Sequence, residues 1–146
     1  MPARRQFLTL AAATFAAALI DSATPALAQT SPAKNRVVMQ VSDAEPGKWN
    51  LTLNNARNLQ ADLGEGNVEI EVVAYGPGIG MLKSDSPVAS RIADATEHGI
   101  KFAACENTMR GQKLTKADML PTTGYVPAGV VEIMQKQQQG WAYLRP

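Results

Sequence analysis

The chain has 146 residues, 45% hydrophobic and only 5% aromatic, with 14 basic against 13 acidic side chains and a single cysteine. That length supports one domain with a real core and not two. Balanced charge without a Lys/Arg cluster excludes nucleic acid as an expected partner, since phosphate neutralisation dominates such affinity, and one cysteine excludes an intramolecular disulfide.

The chain opens with Arg4-Arg5-Gln6-Phe7-Leu8, continues through an Ala-rich apolar run from Thr9 to Ile20, and reaches Ala26-Leu27-Ala28. A basic start, a short apolar stretch and an A-x-A site make a secretory signal peptide over residues 1–28, cleaved after Ala28. The paired arginines resemble the twin-arginine export signal, although the sequence leaves the route open. The expected destination is the periplasm. The apolar run is too short and too weakly hydrophobic to span a bilayer, so no stable membrane span is expected once the signal is removed. Cleavage removes Arg4, Arg5 and Asp21, leaving 12 basic and 12 acidic residues in a mature chain of 118.

Residues 29–35 read as a polar, flexible leader, and residues 36–146 as the domain. Arg36 to Ser42 is a near-continuous apolar strand of the kind buried on both faces. Asp43 to Lys48 carries helix-start signals, including Pro46. The helix that follows has Trp49, Leu53, Ala56, Leu59 or Gln60, and Leu63 on one stripe, with Gly64 at the C-cap position. Trp49 reads as a core anchor. Val68 to Tyr75 is a second strand. Gly76-Pro77-Gly78-Ile79-Gly80 then invites comparison with a phosphate loop, but it lacks both the Gly-Lys-Ser/Thr ending and the G-x-G-x-x-G spacing. No nucleotide cofactor is expected, and the glycines instead suit a tight turn that brings backbone close to a neighbour or a small ligand.

Ser84 to Pro87 starts another helix, with Pro87 in its first turn and Val88, Ile92 and Ala95 as its apolar stripe before Gly99. His98, the only histidine, lies in the last turn, where a cation complements the helix dipole. Ile100 to Cys105 is a compact apolar strand, and Glu106, Asn107 and Thr108 open the next helix. Thr115 to Leu120 is a turn or short helix, Tyr125-Val126-Pro127 a very short strand, Ala128 to Gln139 a helix, and Trp141 to Pro146 a final strand. The β-α-β-α-β-α-β-α-β order predicts a single α/β domain with a five-stranded, mostly parallel sheet and helices on both faces, a flavodoxin-like layering. One cysteine and a distant histidine cannot form a zinc site, and no G-x-S-x-G elbow is present. No cofactor or metal is therefore expected.

Cys105 is the candidate reactive group. At the carboxyl end of a parallel strand it lies where ligands collect in open α/β sheets, and N–H groups of a helix starting there favour thiolate over thiol. A free cysteine also serves as a small buried hydrophobe, and the local sequence does not choose between the two. Glu106 would raise the thiol pKa unless it points away. Asn107 suits a helix cap or a hydrogen bond to a ligand. Tyr75, Gly76 and Gly78 belong at the same sheet end, as a pocket wall or as a tight turn beneath an aromatic cap.

Ala74-Tyr75-Gly76-Pro77-Gly78-Ile79, Gly99-Ile100-Lys101-Phe102-Ala103-Ala104-Cys105-Glu106-Asn107-Thr108-Met109, Tyr125-Val126-Pro127-Ala128-Gly129-Val130-Val131-Glu132-Ile133 and Gln139-Gly140-Trp141-Ala142-Tyr143-Leu144 together resemble the DsrE/DsrF-like family, in order and across the mature chain. The resemblance implies a compact α/β domain assembled into trimers or hexamers. It also implies that a cysteine at the position of Cys105 carries a persulfide in members that relay sulfur, with a partner thiol protein as acceptor. Those members are cytoplasmic, whereas this chain carries an export signal. Two functions follow as expectations. One is an exported sulfur carrier acting through Cys105, with Glu106, Asn107, Thr108, Tyr75, Gly76 and Gly78 around it. The other is a non-catalytic ligand-binding or assembly module with Cys105 structural. Whether the protein is an enzyme is left open.

Overall fold

The computed structural model describes residues 35–146. The expected signal peptide and residues 29–34 of the expected leader lie outside the described residues. Asn35, expected in that leader, instead begins the first strand: it pairs with Val68, and its side-chain amide donates to the Asn67 carbonyl at 3.1 Å, extending the ladder by one residue.

The elements are β1 (Asn35–Val41), α1 (Pro46–Leu63), β2 (Val68–Ala74), a 3₁₀ segment (Gly76–Leu82), α2 (Ala89–Glu97), β3 (Lys101–Cys105), α3 (Glu106–Gly111), β4 (Gly124–Val126), α4 (Gly129–Gln138) and β5 (Ala142–Leu144). The strands form one five-stranded sheet in the order β4-β3-β2-β1-β5, with every pairing parallel. Right-handed crossovers dictate the layering. Stepping from β1 to β4 in one direction puts α1, α2 and α3 on one face, and the single return from β4 to β5 puts α4 on the other.

The alternation of side chains along each strand matches that division. Val37, Met39, Val41, Ile70, Val72, Ala74, Phe102 and Ala104 face the larger core with Trp49, Leu53, Ala56, Ile92 and Met109 from the helices. Val38, Val73 and Ala103 face the opposite way, against Ile133 of α4 and Trp141. Trp49 anchors the larger core as expected: it is buried, and its indole N–H donates to the Asp43 carbonyl at 2.8 Å.

Pro46 stands in the first turn of α1, and Gly64 at its end has φ +87°, a conformation that penalises any side chain. Pro87 does not begin α2. Ser86 first closes a turn by accepting from the Ala89 N–H at 3.1 Å, so the helix starts two residues after the proline. His98 caps that helix, with Nδ1 3.0 Å from Glu65 and Nε2 3.8 Å from Asp94. It lies at the end of β3 opposite to Cys105. Of α4 only Gly129 and Ile133 are buried, whereas Val130, Val131 and Met134 are exposed. Among the described residues no helix is long and apolar enough to cross a membrane.

Candidate functional site

The strands β1, β2 and β3 are followed by helices on one face and β4 by a helix on the other, so the winding direction reverses between β3 and β4. In open α/β sheets the crevice outside the carboxyl ends of two such strands is where ligands bind. Cys105 is the last residue of β3 and pairs with Val126, the last residue of β4. Strand alternation directs its side chain to the same face as Ala103, towards the start of α4.

Burial by itself pushes the Cys105 thiol up, because the charged form loses water. Four donors outweigh it and leave the pKa below the ordinary thiol value: the Thr108 hydroxyl and the backbone N–H groups of Gly129, Thr108 and Asn107. The donors come from both elements that flank the switch point. Thr108 and Asn107 belong to α3, whereas Gly129 is the first residue of α4. The Thr108 oxygen accepts from the Gly76 N–H at 2.9 Å, which leaves the hydroxyl proton free to point at sulfur. Gln112 in turn donates to the Gly76 carbonyl at 3.1 Å, fixing the glycine turn against α3. Cys105 as a whole is only 5% exposed.

The other sequence-predicted residues divide. Tyr75 stands beside Cys105 at the end of β2 with its ring against Gly129, where a Cβ would lie 3.1 Å from Tyr75 Cβ and Cδ1. Burial pushes the Tyr75 hydroxyl pKa up, against a weaker pull from Ser42. Gly76 joins the site through its N–H, and its φ of +54° favours glycine. Gly78 packs against β1. An added Cβ would lie 2.3 Å from the Val41 carbonyl oxygen, so the turn is packed directly on β1 backbone. Asn107 does not cap α3: Cys105 is the N-cap, no side chain caps that helix, and Asn107 Oδ1 accepts from Arg110 one turn later. The Asn107 N–H is shared with the Pro127 carbonyl at 3.2 Å, which ties α3 to the loop leaving β4. Glu106 borders a separate hollow of about 190 Å³ with Met109, Arg110 and Leu114 and is not among the groups acting on the thiol.

Sequence reasoning missed Gly129 and the Thr108 hydroxyl. The signal for Gly129 was a glycine opening a helix just after a short strand, but its meaning depends on β4 pairing with β3, which periodicity does not reveal. No group of three or more His, Cys, Asp or Glu able to hold a metal ion occurs among the described residues.

The DsrE/DsrF-like family model matches residues 35–146. A solved structure of a protein of unknown function, MTH1491 from Methanobacterium thermoautotrophicum, is 38% identical, with a TM-score of 0.74 over 77% of this chain and 99% of that one. Two further structures share the fold at lower identity. The conserved protein of unknown function BT1422 from Bacteroides thetaiotaomicron is 15% identical, with a TM-score of 0.60 over 77% and 95% of the chains. The ychN protein from E. coli is 13% identical, with a TM-score of 0.59 over 77% and 99%. Among curated proteins there is no match.

Proposed function

Because this chain belongs to the DsrE/DsrF-like family, we propose that it is a sulfur carrier in which Cys105 takes up and passes on sulfane sulfur as a persulfide. The observation that carries the reading is the position of Cys105 as the last residue of β3 at the sheet's switch point, paired with Val126, with a hydroxyl and backbone N–H groups around it that hold the thiol below its ordinary pKa. A thiolate is the competent nucleophile. Cys105 sulfur attacks the outer sulfur of a donor persulfide, the donor's S–S bond breaks, and the donor thiol leaves as thiolate. The new Cys105 persulfide is then attacked at its outer sulfur by a partner thiolate. That step returns Cys105 to thiolate without net oxidation or reduction. The same N–H and hydroxyl donors stabilise the negative charge before and after each transfer.

Export through the signal at residues 1–28, with the periplasm as the working compartment, forms part of this proposal and is motivated by the sequence of that segment. So is assembly into a homotrimer or hexamer. Exposed Val130, Val131 and Met134 on α4, with Tyr143 and Leu144 on β5, supply apolar surface suited to contact between copies.

The alternative, a binding or assembly module with Cys105 as packing, draws support from the thiol's burial. The test is alkylation of the native protein across pH, followed by mass spectrometry after exposure to inorganic polysulfide. Labelling with a midpoint below the free-cysteine value of about 8.5, plus an added mass of one sulfur that reductant removes, supports the carrier. Labelling only after denaturation supports the module.

A further inference from the structure

The first residue of α4 packs directly on Tyr75, beside Cys105 at the strand ends, and its N–H is among the groups that lower the thiol pKa, so whatever seats α4 also sets the thiol's surroundings. The seat is unusual. Gly129 and Ile133 are the only residues of α4 that are buried, and Gly129 has no side chain. One turn beyond Ile133, Lys136 reaches under the helix to the sheet. Its Nζ lies 2.7 Å from Glu71 of β2 and 3.5 Å from Glu132, with the Lys136 and Glu71 side chains only 16% and 8% exposed. The same Nζ sits 4.2 Å from the centre of the Trp141 ring, and the Lys136 carbonyl accepts the backbone N–H of Trp141 at 3.0 Å. Gly129, Ile133 and Lys136 thus form one stripe, at spacings of four and three, that holds α4 on β1, β2 and β3.

We infer that Lys136 and Glu71 are positioning residues that latch α4 over Cys105, and that sulfur reaches the thiol when this latch lets the start of α4 lift. The inference rests on the carrier reading. Three observations support it. Cys105 is buried at the junction of β3, α3 and the end of β4, so transfer to another protein's thiol needs a neighbouring element to move. A single buried apolar side chain secures α4, against a larger core that secures α1. An open hollow of about 540 Å³ lies along β3 and β4, bordered by Glu71, Ala103, Val126 and Glu132, so on that side α4 borders solvent and not packed side chains. A buried ion pair suits a latch because removing one partner leaves the other charge uncompensated, while the intact pair adds little net stability. Burial pushes the Glu71 carboxyl up despite the pull of Lys136. The neighbouring strand cation Lys101 is engaged by Glu69 at 2.8 Å, and Arg36 lies over Trp141, so neither replaces Lys136.

The test is the pH–rate profile of Cys105 alkylation by iodoacetamide in the full mature chain, for wild type, Lys136→Met and Lys136→Arg. The high-pH plateau reports access and the midpoint reports thiolate stabilisation. Lys136→Met is expected to raise the plateau roughly tenfold, as local opening becomes easier, and to move the midpoint up as the Gly129 N–H withdraws. Lys136→Arg is expected to restore both. A Lys136→Met profile superimposed on wild type, with the fold intact by circular dichroism, overturns the latch and leaves the carrier reading standing. If Lys136→Met does not fold, Glu71→Gln is judged by the same criteria. If wild type labels only when unfolded, the carrier reading fails. The latch is then decided by amide hydrogen exchange in α4, which must quicken in the variant, and unchanged exchange overturns it.

Discussion

The Gly76 amide N–H donates to Thr108 Oγ1 at 2.9 Å, a bond that ties the glycine turn after β2 to the helix after Cys105. Its chemical effect is directional. An oxygen that already accepts from an amide has its own proton available for sulfur, so Thr108 acts on the thiol as a donor. Thr108→Val removes both roles. The expected result is a higher alkylation midpoint for Cys105 and a stability loss of about 1 kcal/mol from the unpartnered Gly76 N–H. Thr108→Ser should keep the midpoint near wild type. Equal midpoints in Val and Ser variants would remove the hydroxyl from the account.

Gly78 tests the packing of the same turn. A Cβ there would meet the Val41 oxygen at 2.3 Å, the Val41 carbonyl carbon at 2.6 Å and Ser42 Cα at 2.8 Å, all backbone atoms of the strand end or the residue after it. Gly78→Ala is therefore expected to cost about 3 kcal/mol in urea unfolding, since a central strand cannot yield as a side-chain tip would. Gly47→Ala in the first turn of α1 meets nothing within 4 Å and should be neutral or stabilising by about 0.5 kcal/mol. Similar losses at both positions would contradict the geometry.

The thiol also writes a pH dependence into stability. Its folded pKa lies below the unfolded one, so between the two values the unfolded chain holds more protons and stability rises with pH. The contribution is complete above the unfolded thiol value and is lost as pH falls through the folded one. Wild type and Cys105→Ser compared by urea melts from roughly pH 6 to 9, around the free-thiol range, should diverge in favour of wild type as pH rises. A difference that stays flat, or narrows, refutes a stabilised thiolate.

Assembly can be examined on α4. Met134 is 49% exposed and Val130 57%, four residues apart on one side of the helix. If copies associate through this side, Met134→Lys should lower the solution mass to that of one protomer while leaving the circular dichroism spectrum unchanged. A wild-type mass of one protomer would end the trimer or hexamer proposal.

The order of elements and the parallel sheet were legible because strand runs such as Val68 to Ala74 and Lys101 to Cys105 are short, apolar and punctuated by glycine. Cys105 at a strand end was legible for the same reason. Its chemical neighbours were only half legible. Thr108 and Asn107 adjoin it in sequence, but Gly129 reaches it only through the pairing of Cys105 with Val126, a long-range register without a local signature. Side chains were misjudged where a local partner competed, as with Asn107, whose carbonyl oxygen turns to Arg110 rather than capping α3. The outward side of α4 was unreadable for another reason. Val130, Val131 and Met134 are apolar, yet the sheet beneath offers Glu71 and the small Ala103, a surface that accepts one aliphatic residue and a lysine.

The strand β5 occupies the outer edge of β1, and its register pairs Val37 with Ala142 and Met39 with Leu144. The first strand of the domain therefore waits for the fifth before its hydrogen-bonding edge is covered. During synthesis, every intermediate that lacks the segment after α4 carries β1 with a naked, strongly apolar flank, and edges of that kind recruit other chains. Closure is a contact between distant parts of the sequence, which is slow to form. Nonsense products or nicked chains that end within α4 should thus be aggregation-prone even though the larger core, contributed entirely by residues before α4, is already present.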